Sequence, residues 1–309
     1  MFQSVFSSRG YRALVSLAVT LLILALPHPS WAWGNQGHQL VNRLAATHLP
    51  ADVPAFLRSP AAILEMEYLG PEPDRWRSPA EPELEAVQAP EHFIDLELAD
   101  KLGSLPHRRF DFLARAYAAG DQPDKIGLQP WQTDEVWERL KSAMRNYREL
   151  KAAAKDTAPV EQAIIFYAGW LGHYVADGSQ PLHTTVEYNG WTGPNPNGYT
   201  TDHRIHYRFE TTFVSANIHL SEVEAKMTPV QAIDGDMFDA YLSYLRSTHN
   251  FVEELYKLDK VGGFERAGTP ESRAFTAARL AAGASMLRDM IYTAWIESGQ
   301  PVPERHFAN

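Results

Sequence analysis

The sequence has no cysteine among its 309 residues, which excludes a disulfide framework, a cysteine-ligated zinc finger and a thiol nucleophile. Any metal must then be held by His, Asp, Glu or the backbone. Positive charge is also in short supply, with 38 Asp and Glu against 28 Lys and Arg and a formal net charge of −10. That excludes a basic surface gripping nucleic acid tightly, but not an enzyme that releases a polyanion quickly. After residue 26 no apolar run is long enough to span a bilayer. At 45% hydrophobic and 21% charged, the composition is that of an ordinary globular chain, neither disordered nor fibrous.

The single long apolar run lies at the start. Arg9 and Arg12 precede residues 13–26, a stretch of fourteen interrupted only by Ser16 and Thr20. Ser30 and Ala32 then supply small residues at the −3 and −1 positions of a cut after Ala32. This is the layout of a secretory signal peptide over 1–32, and the run is short of the roughly 20 residues an anchor needs. The expected mature chain, 33–309, is exported to a periplasmic or extracellular location. Residues 1–32 carry two Arg and no acid, so the mature net charge is −12. Exported chains commonly rely on disulfides, and bound ions are a physical substitute here.

Apolar spacing predicts helices over 33–49, 131–155 and 160–177, the last so apolar that it reads as buried and central. Two long amphipathic helices are predicted over 229–258 and 270–299. The proline-rich stretch 70–91 reads as an irregular loop, and so does 188–200, which is crowded with Gly, Asn and Pro. No repeat, strand run or interdomain linker is evident. The expected fold is all-α, one helical domain over 33–309.

His173 and Asp177 are four residues apart at the end of the apolar helix, which puts both on one face within reach of a single ion. His206 and Glu210 repeat this spacing, and His183 lies between the two pairs. Each pair alone is more often two hydrogen-bonded surface residues than two ligands. What favours a site is the apolar setting, where unpartnered polar groups would cost several kcal/mol. Transition-metal ligation and satisfied surface pairs both remain open on spacing alone.

With Trp33-Gly34-Asn35-Gln36-Gly37-His38, Asp74-Arg75-Trp76-Arg77, His92-Phe93-Ile94-Asp95 and the two pairs, the chain resembles the trinuclear zinc phosphodiesterase superfamily. That superfamily includes the secreted S-one/P-one type nucleases and the bacterial zinc-dependent phospholipases C. The matching motifs extend from Trp33 to Glu210, and the last hundred or so residues carry no signature. The resemblance implies a bundle with long active-site loops around a polymetal cleft, and three Zn2+ ions. One ion would take Asp74, His92, His173 and Asp177. A second would take the freed amine and carbonyl of Trp33, His38 and the other oxygen of Asp177. The third would take His183, His206 and Glu210. The remaining histidines, including His107 and His203, match no ligand position.

The implied activity is phosphate-ester hydrolysis, because clustered dications lower the pKa of a water toward about 7 and neutralise phosphate charge. The resemblance gives Asp74, Arg77 and Asp177 catalytic roles, with Arg77 stabilising transition-state charge. Asp177→Asn is expected to leave a folded chain with activity reduced by orders of magnitude. Phe93 would stack on a base and Asp95 would bind its edge, in a nuclease acting on single-stranded DNA or RNA or on nucleotides. Against this, Glu210 stands where the nucleases have Asp, which is the lipase pattern and makes phospholipid head groups the alternative substrate. Arg77 and the Trp-Gly opening tilt the reading to the nuclease. A non-catalytic, metal-stabilised binding protein is the third class. No stable protein partner is implied. The 188–200 loop, with Trp191 and Tyr199, is expected to border the cleft and influence substrate choice.

Overall fold

A computed structural model describes residues 33–302. The expected signal peptide and its cleavage point lie outside the described residues. Central to the bundle is the apolar helix anticipated near 160–177, which runs Ala158–Asp177. Every residue from Leu171 to Asp177 is buried, so its last two turns have no solvent face. In chain order, the helices that build the site are α1 (Gly34–Thr47), α2 (Pro60–Leu69), α3 (Glu72–Trp76), α4 (Pro82–Gln88), α5 (Gln129–Ala152) and α6 (Ala158–Asp177). They continue as α7 (205–217), α8 (Met237–His249), α9 (Val252–Lys260) and α10 (Pro270–Ser298). No strand occurs among the described residues, which form one compact all-α unit. None of the described helices is long and apolar enough to cross a membrane.

Helix α6 packs against α1, α2, α5 and α10 at once, and α10 closes the bundle over α1 and α5. Two glycines on α6 permit this crowding. A Cβ on Gly169 would stand 2.6 Å from Leu69 Cβ, and one on Gly172 would overlap the Asn42 amide. Asn42 is fully buried and ties three helices together by donating to the carbonyls of Met66 (2.8 Å) and Gly169 (2.9 Å). Each such bond contributes about 0.5–1.5 kcal/mol net, and an unpartnered amide here would cost more. The result is that α1 and α6 approach closely enough for His38 and His173 to stack, with ring centroids 4.1 Å apart.

Two expectations are corrected. The proline-rich stretch 70–91 is not irregular: it folds into α3, α4 and a 3-10 turn, Ala89–His92. Each begins with proline at its first or second position, where the missing N–H is one the helix leaves unbonded anyway. The helix expected over 229–258 is also not continuous. Its first part is an extended strap along α10: Arg288 donates to the carbonyls of Thr228 (2.7 Å) and Pro229 (3.0 Å), while Ile233 N–H donates to Thr293 (2.9 Å). Gly235 (φ +86°) and the Asp236 cap then start α8, and the chain breaks again at Asn250–Phe251 before α9. Amphipathic spacing persisted across both interruptions, which is why periodicity did not reveal them.

Candidate metal centre

Six pieces of chain supply the site. α1 contributes His38, α3 Asp74, the 3-10 turn Ala89–His92 its His92, and α6 His173 and Asp177. Just past α6, the turn Pro181–His183 adds His183, and α7 adds His206 and Glu210. α7 begins as a helical turn, Ile205–Tyr207, and passes into a π-helical turn, Arg208–Phe213, before resuming helical form. Glu210 lies in that widened turn, a feature that often marks functional positions. Segments 92–96 and 183–184 are joined side by side through Ile94 N–H to His183 O (2.9 Å) and Leu96 N–H to Thr184 O (3.2 Å).

The eight side chains form three buried groups able to hold ions: His38, His173 and Asp177; Asp74, His92 and His173; and His183, His206 and Glu210. The third is the set expected from the sequence. In the first two, His173 is shared, whereas the expected partition made Asp177 the shared residue. The two arrangements are neighbours: Asp177 lies 3.3 Å from both His38 Nε2 and His173 Nε2, and Asp74 lies 3.6 Å from His92 Nε2 and 3.9 Å from His38 Nε2. His183 and His206 face each other with Nε2 atoms 3.1 Å apart, and His206 Nε2 is 2.8 Å from Glu210.

The outer hydrogen bonds fix the chemistry. Nδ1 of His92 meets Gln88 O at 2.8 Å, Nδ1 of His173 meets Gly70 O at 2.8 Å, and Nδ1 of His183 meets His92 O at 2.6 Å. A carbonyl only accepts, so Nδ1 carries a proton in all three rings, and in a neutral ring Nε2 then keeps its lone pair toward the centre. This is the outer shell by which proteins orient histidine ligands. Burial, with the Arg77 charge beside His92 and His38 beside His173, holds both rings well below the ordinary imidazole pKa, so they are neutral. The inward Nε2 atoms of His92 and His173, both oxygens of Asp74 and Asp177, and Oε1 of Glu210 have no hydrogen-bond partner. Such a set of buried acceptors without donors fits a divalent cation, and its nitrogen and oxygen donors suit several metals.

The carboxylates show the same demand. Burial raises Asp74 to about 8 against the pull of His38, with Asp177 pushing the same way. Burial likewise lifts Asp177 well above the carboxylate range. Glu210 moves the other way, to about 2: burial would raise it, but His206 and His183 beside it outweigh that. Without ions, protons take up the charge that cations would otherwise neutralise.

Trp33 is completely buried, in left-handed conformation (φ +43°), with its indole N–H donating to Ala176 O (2.7 Å) and Ser179 Oγ (3.0 Å). Its backbone nitrogen is 3.2 Å from Glu210 Oε2. The terminal ligand expected with His38 and Asp177 therefore sits instead against the third group, because the indole bonds to Ala176 and Ser179 turn the backbone nitrogen toward Glu210. Arg77 is partly exposed, with a guanidinium nitrogen 3.7 Å from Asp74. Phe93 is half-buried; Asp95 is buried, and that burial, with the charge of Glu97, raises its carboxyl to about 7.

Trp191 and Tyr199 pack with Tyr256 at centroid distances of 4.9, 5.2 and 5.6 Å and anchor their loop. The exposed aromatic beside the site is Tyr188, 6.3 Å from the His206 ring. His203 is exposed, and His107 meets Asp239 at 3.0 Å in an exposed group with Asp236, away from the buried centre. Gln180, fully buried against His206 and Glu210, escaped the sequence reading because a lone glutamine carries no ligand signal. No protein-family model, curated protein or solved structure matches the chain.

Proposed function

We propose that the protein is a zinc-dependent hydrolase of phosphate diesters, acting on single-stranded DNA or RNA and holding three Zn2+ ions in the buried centre. The observation that carries this reading is the set of inward-facing acceptors: three imidazoles with an Nδ1 proton fixed by a carbonyl, and the oxygens of Asp74 and Asp177 with Oε1 of Glu210, which have no donor. Ions held there would supply Lewis acidity, lowering the pKa of a water toward about 7 and neutralising charge on the substrate. A cut after Ala32 would convert the Trp33 nitrogen, already inside the site, into an amine able to ligate.

The chain's own residues provide the rest. Arg77 reaches the centre from its partly exposed rim, with Nε buried and unbonded, and is suited to a phosphate oxygen whose charge grows in the transition state. Asp74, beside Arg77, is suited to orienting the attacking water. Phe93 offers a half-buried ring for stacking, an interaction worth about 1–3 kcal/mol per base. Asp95, its carboxyl raised by burial to about 7, is placed beside Phe93 to meet a base edge.

One observation favours a second substrate: Glu210 in place of Asp matches the lipase pattern, so phospholipid head groups are the competing reading. The deciding experiment measures turnover of denatured DNA, RNA and phosphatidylcholine side by side, with and without chelator. Chelator-sensitive release of nucleotides supports the proposal. Phosphocholine release without nuclease activity replaces it with the lipase, and no turnover of any substrate by fully loaded protein refutes both.

A further inference from the structure

Gln180 occupies a buried position in the turn between α6 and His183, with no accessible surface. Its Oε1 accepts the Leu182 N–H at 2.6 Å, which decides which way the amide points. The NH2 group then faces the centre, 3.0 Å from Glu210 Oε2 and 3.1 Å from His206 Nε2. His206 Nε2 is therefore pulled two ways. Glu210, at 2.8 Å, asks it to donate, while the Gln180 amide asks it to accept, and His183 Nε2 lies 3.1 Å away. A single proton position on His206 Nε2 does not satisfy both demands. A cation shared by the two rings and Glu210 does, leaving the amide free to donate to Oε2. The Trp33 N–H reaches the same oxygen, so Oε2 is held by two donors while Oε1 has none.

We propose that Gln180 is a positioning residue for the ion held by His183, His206 and Glu210, fixing the Glu210 carboxylate so that this ion binds. The proposal rests on the metal-centre reading and is independent of the substrate. The Gln180 side chain bonds to Leu182, His206 and Glu210, while its link to Asp177 runs through the backbone N–H (3.0 Å to Asp177 O) and survives substitution, so loss of the side chain acts on one ion of three. Removing such an orienting partner lowers metal affinity about 10–100-fold.

The test is metal content by elemental analysis, after dialysis against defined free zinc, for wild type, Gln180→Met and Gln180→Asn. Methionine keeps the length without hydrogen bonding; asparagine keeps the amide but does not span from Leu182 to Glu210. Cobalt substitution adds an absorption spectrum that reports each ion's surroundings. Both variants are expected to bind two equivalents where wild type binds three, while the melting temperature of the stripped protein stays within a few degrees of wild type. If Gln180→Met fails to fold, Gln180→Asn carries the same readout. Three equivalents retained at wild-type affinity, or loss of all ions together with the stripped protein's stability, overturns the positioning role. A wild type that binds no metal overturns the metal-centre reading itself.

Discussion

Stripping the ions should cost the protein a large part of its stability, and linkage sets the scale. The centre ties α1, α3, α6 and α7 together in a chain without disulfides. An ion present at 100 times its Kd adds about 2.7 kcal/mol, so three such sites add about 8 kcal/mol. For a domain of this size each kcal/mol moves the melting temperature by about 2–4 °C, giving a fall of about 16–32 °C on chelation. The effect should also depend on pH. In the stripped protein Asp74 is raised to about 8 from an ordinary 3.8, and Asp177 is raised in the same direction. A carboxyl with a raised folded pKa favours the fold while protonated and penalises it as pH climbs from 3.8 toward 8. The gap between loaded and stripped protein should therefore widen from pH 5 to pH 8. Calorimetry across that range, before chelation, after it and after zinc is returned, measures both effects. A melting temperature unmoved once metal analysis shows the ions gone would refute the reasoning.

Arg77→Ala should leave metal content unchanged and lower kcat about 10²–10³-fold, the usual effect of losing a transition-state donor; equal losses of metal and activity would instead make Arg77 structural. Asp95→Asn should stabilise the protein at pH 8 by about 2–4 kcal/mol relative to wild type. The gain should shrink as pH falls from about 7 toward 4, because an Asp95 carboxyl raised from 3.8 to about 7 loses stability over the range where the unfolded carboxyl ionises and the folded one does not; a difference independent of pH in denaturant titrations would contradict this. Gly172→Ala should destabilise by about 1–3 kcal/mol, since the new methyl overlaps the Asn42 amide that joins three helices. A chemical-denaturation midpoint equal to wild type would show that the helices yield without loss.

Much of the architecture was legible in local pattern. The apolar run before His173 announced a buried central helix, and four-residue spacing put His173 with Asp177 and His206 with Glu210 on shared faces. The three side-chain groups came together as motif order and the family resemblance implied, apart from the shared residue. What stayed hidden depended on three-dimensional placement. Prolines at helix starts look the same in sequence as prolines in loops, so α3 and α4 passed for an irregular stretch. The strap along α10 is held by Arg288 and Thr293, far away in the chain. Trp191 and Tyr199 read as cleft residues, yet their rings lock against Tyr256, and Tyr188 is the ring left beside His206. Gln180 acts through its neighbours, and only their positions reveal it.

The central claim is that these inward-facing acceptors hold three ions, and anomalous X-ray diffraction on either side of the zinc absorption edge tests it most directly. The expected result is three zinc peaks in the mature protein, one against each of the His38/Asp177, Asp74/His92 and His183/His206/Glu210 groups. Zinc-saturated crystals with no peak in the buried centre, or with zinc only at the exposed His107, Asp236 and Asp239, would contradict it.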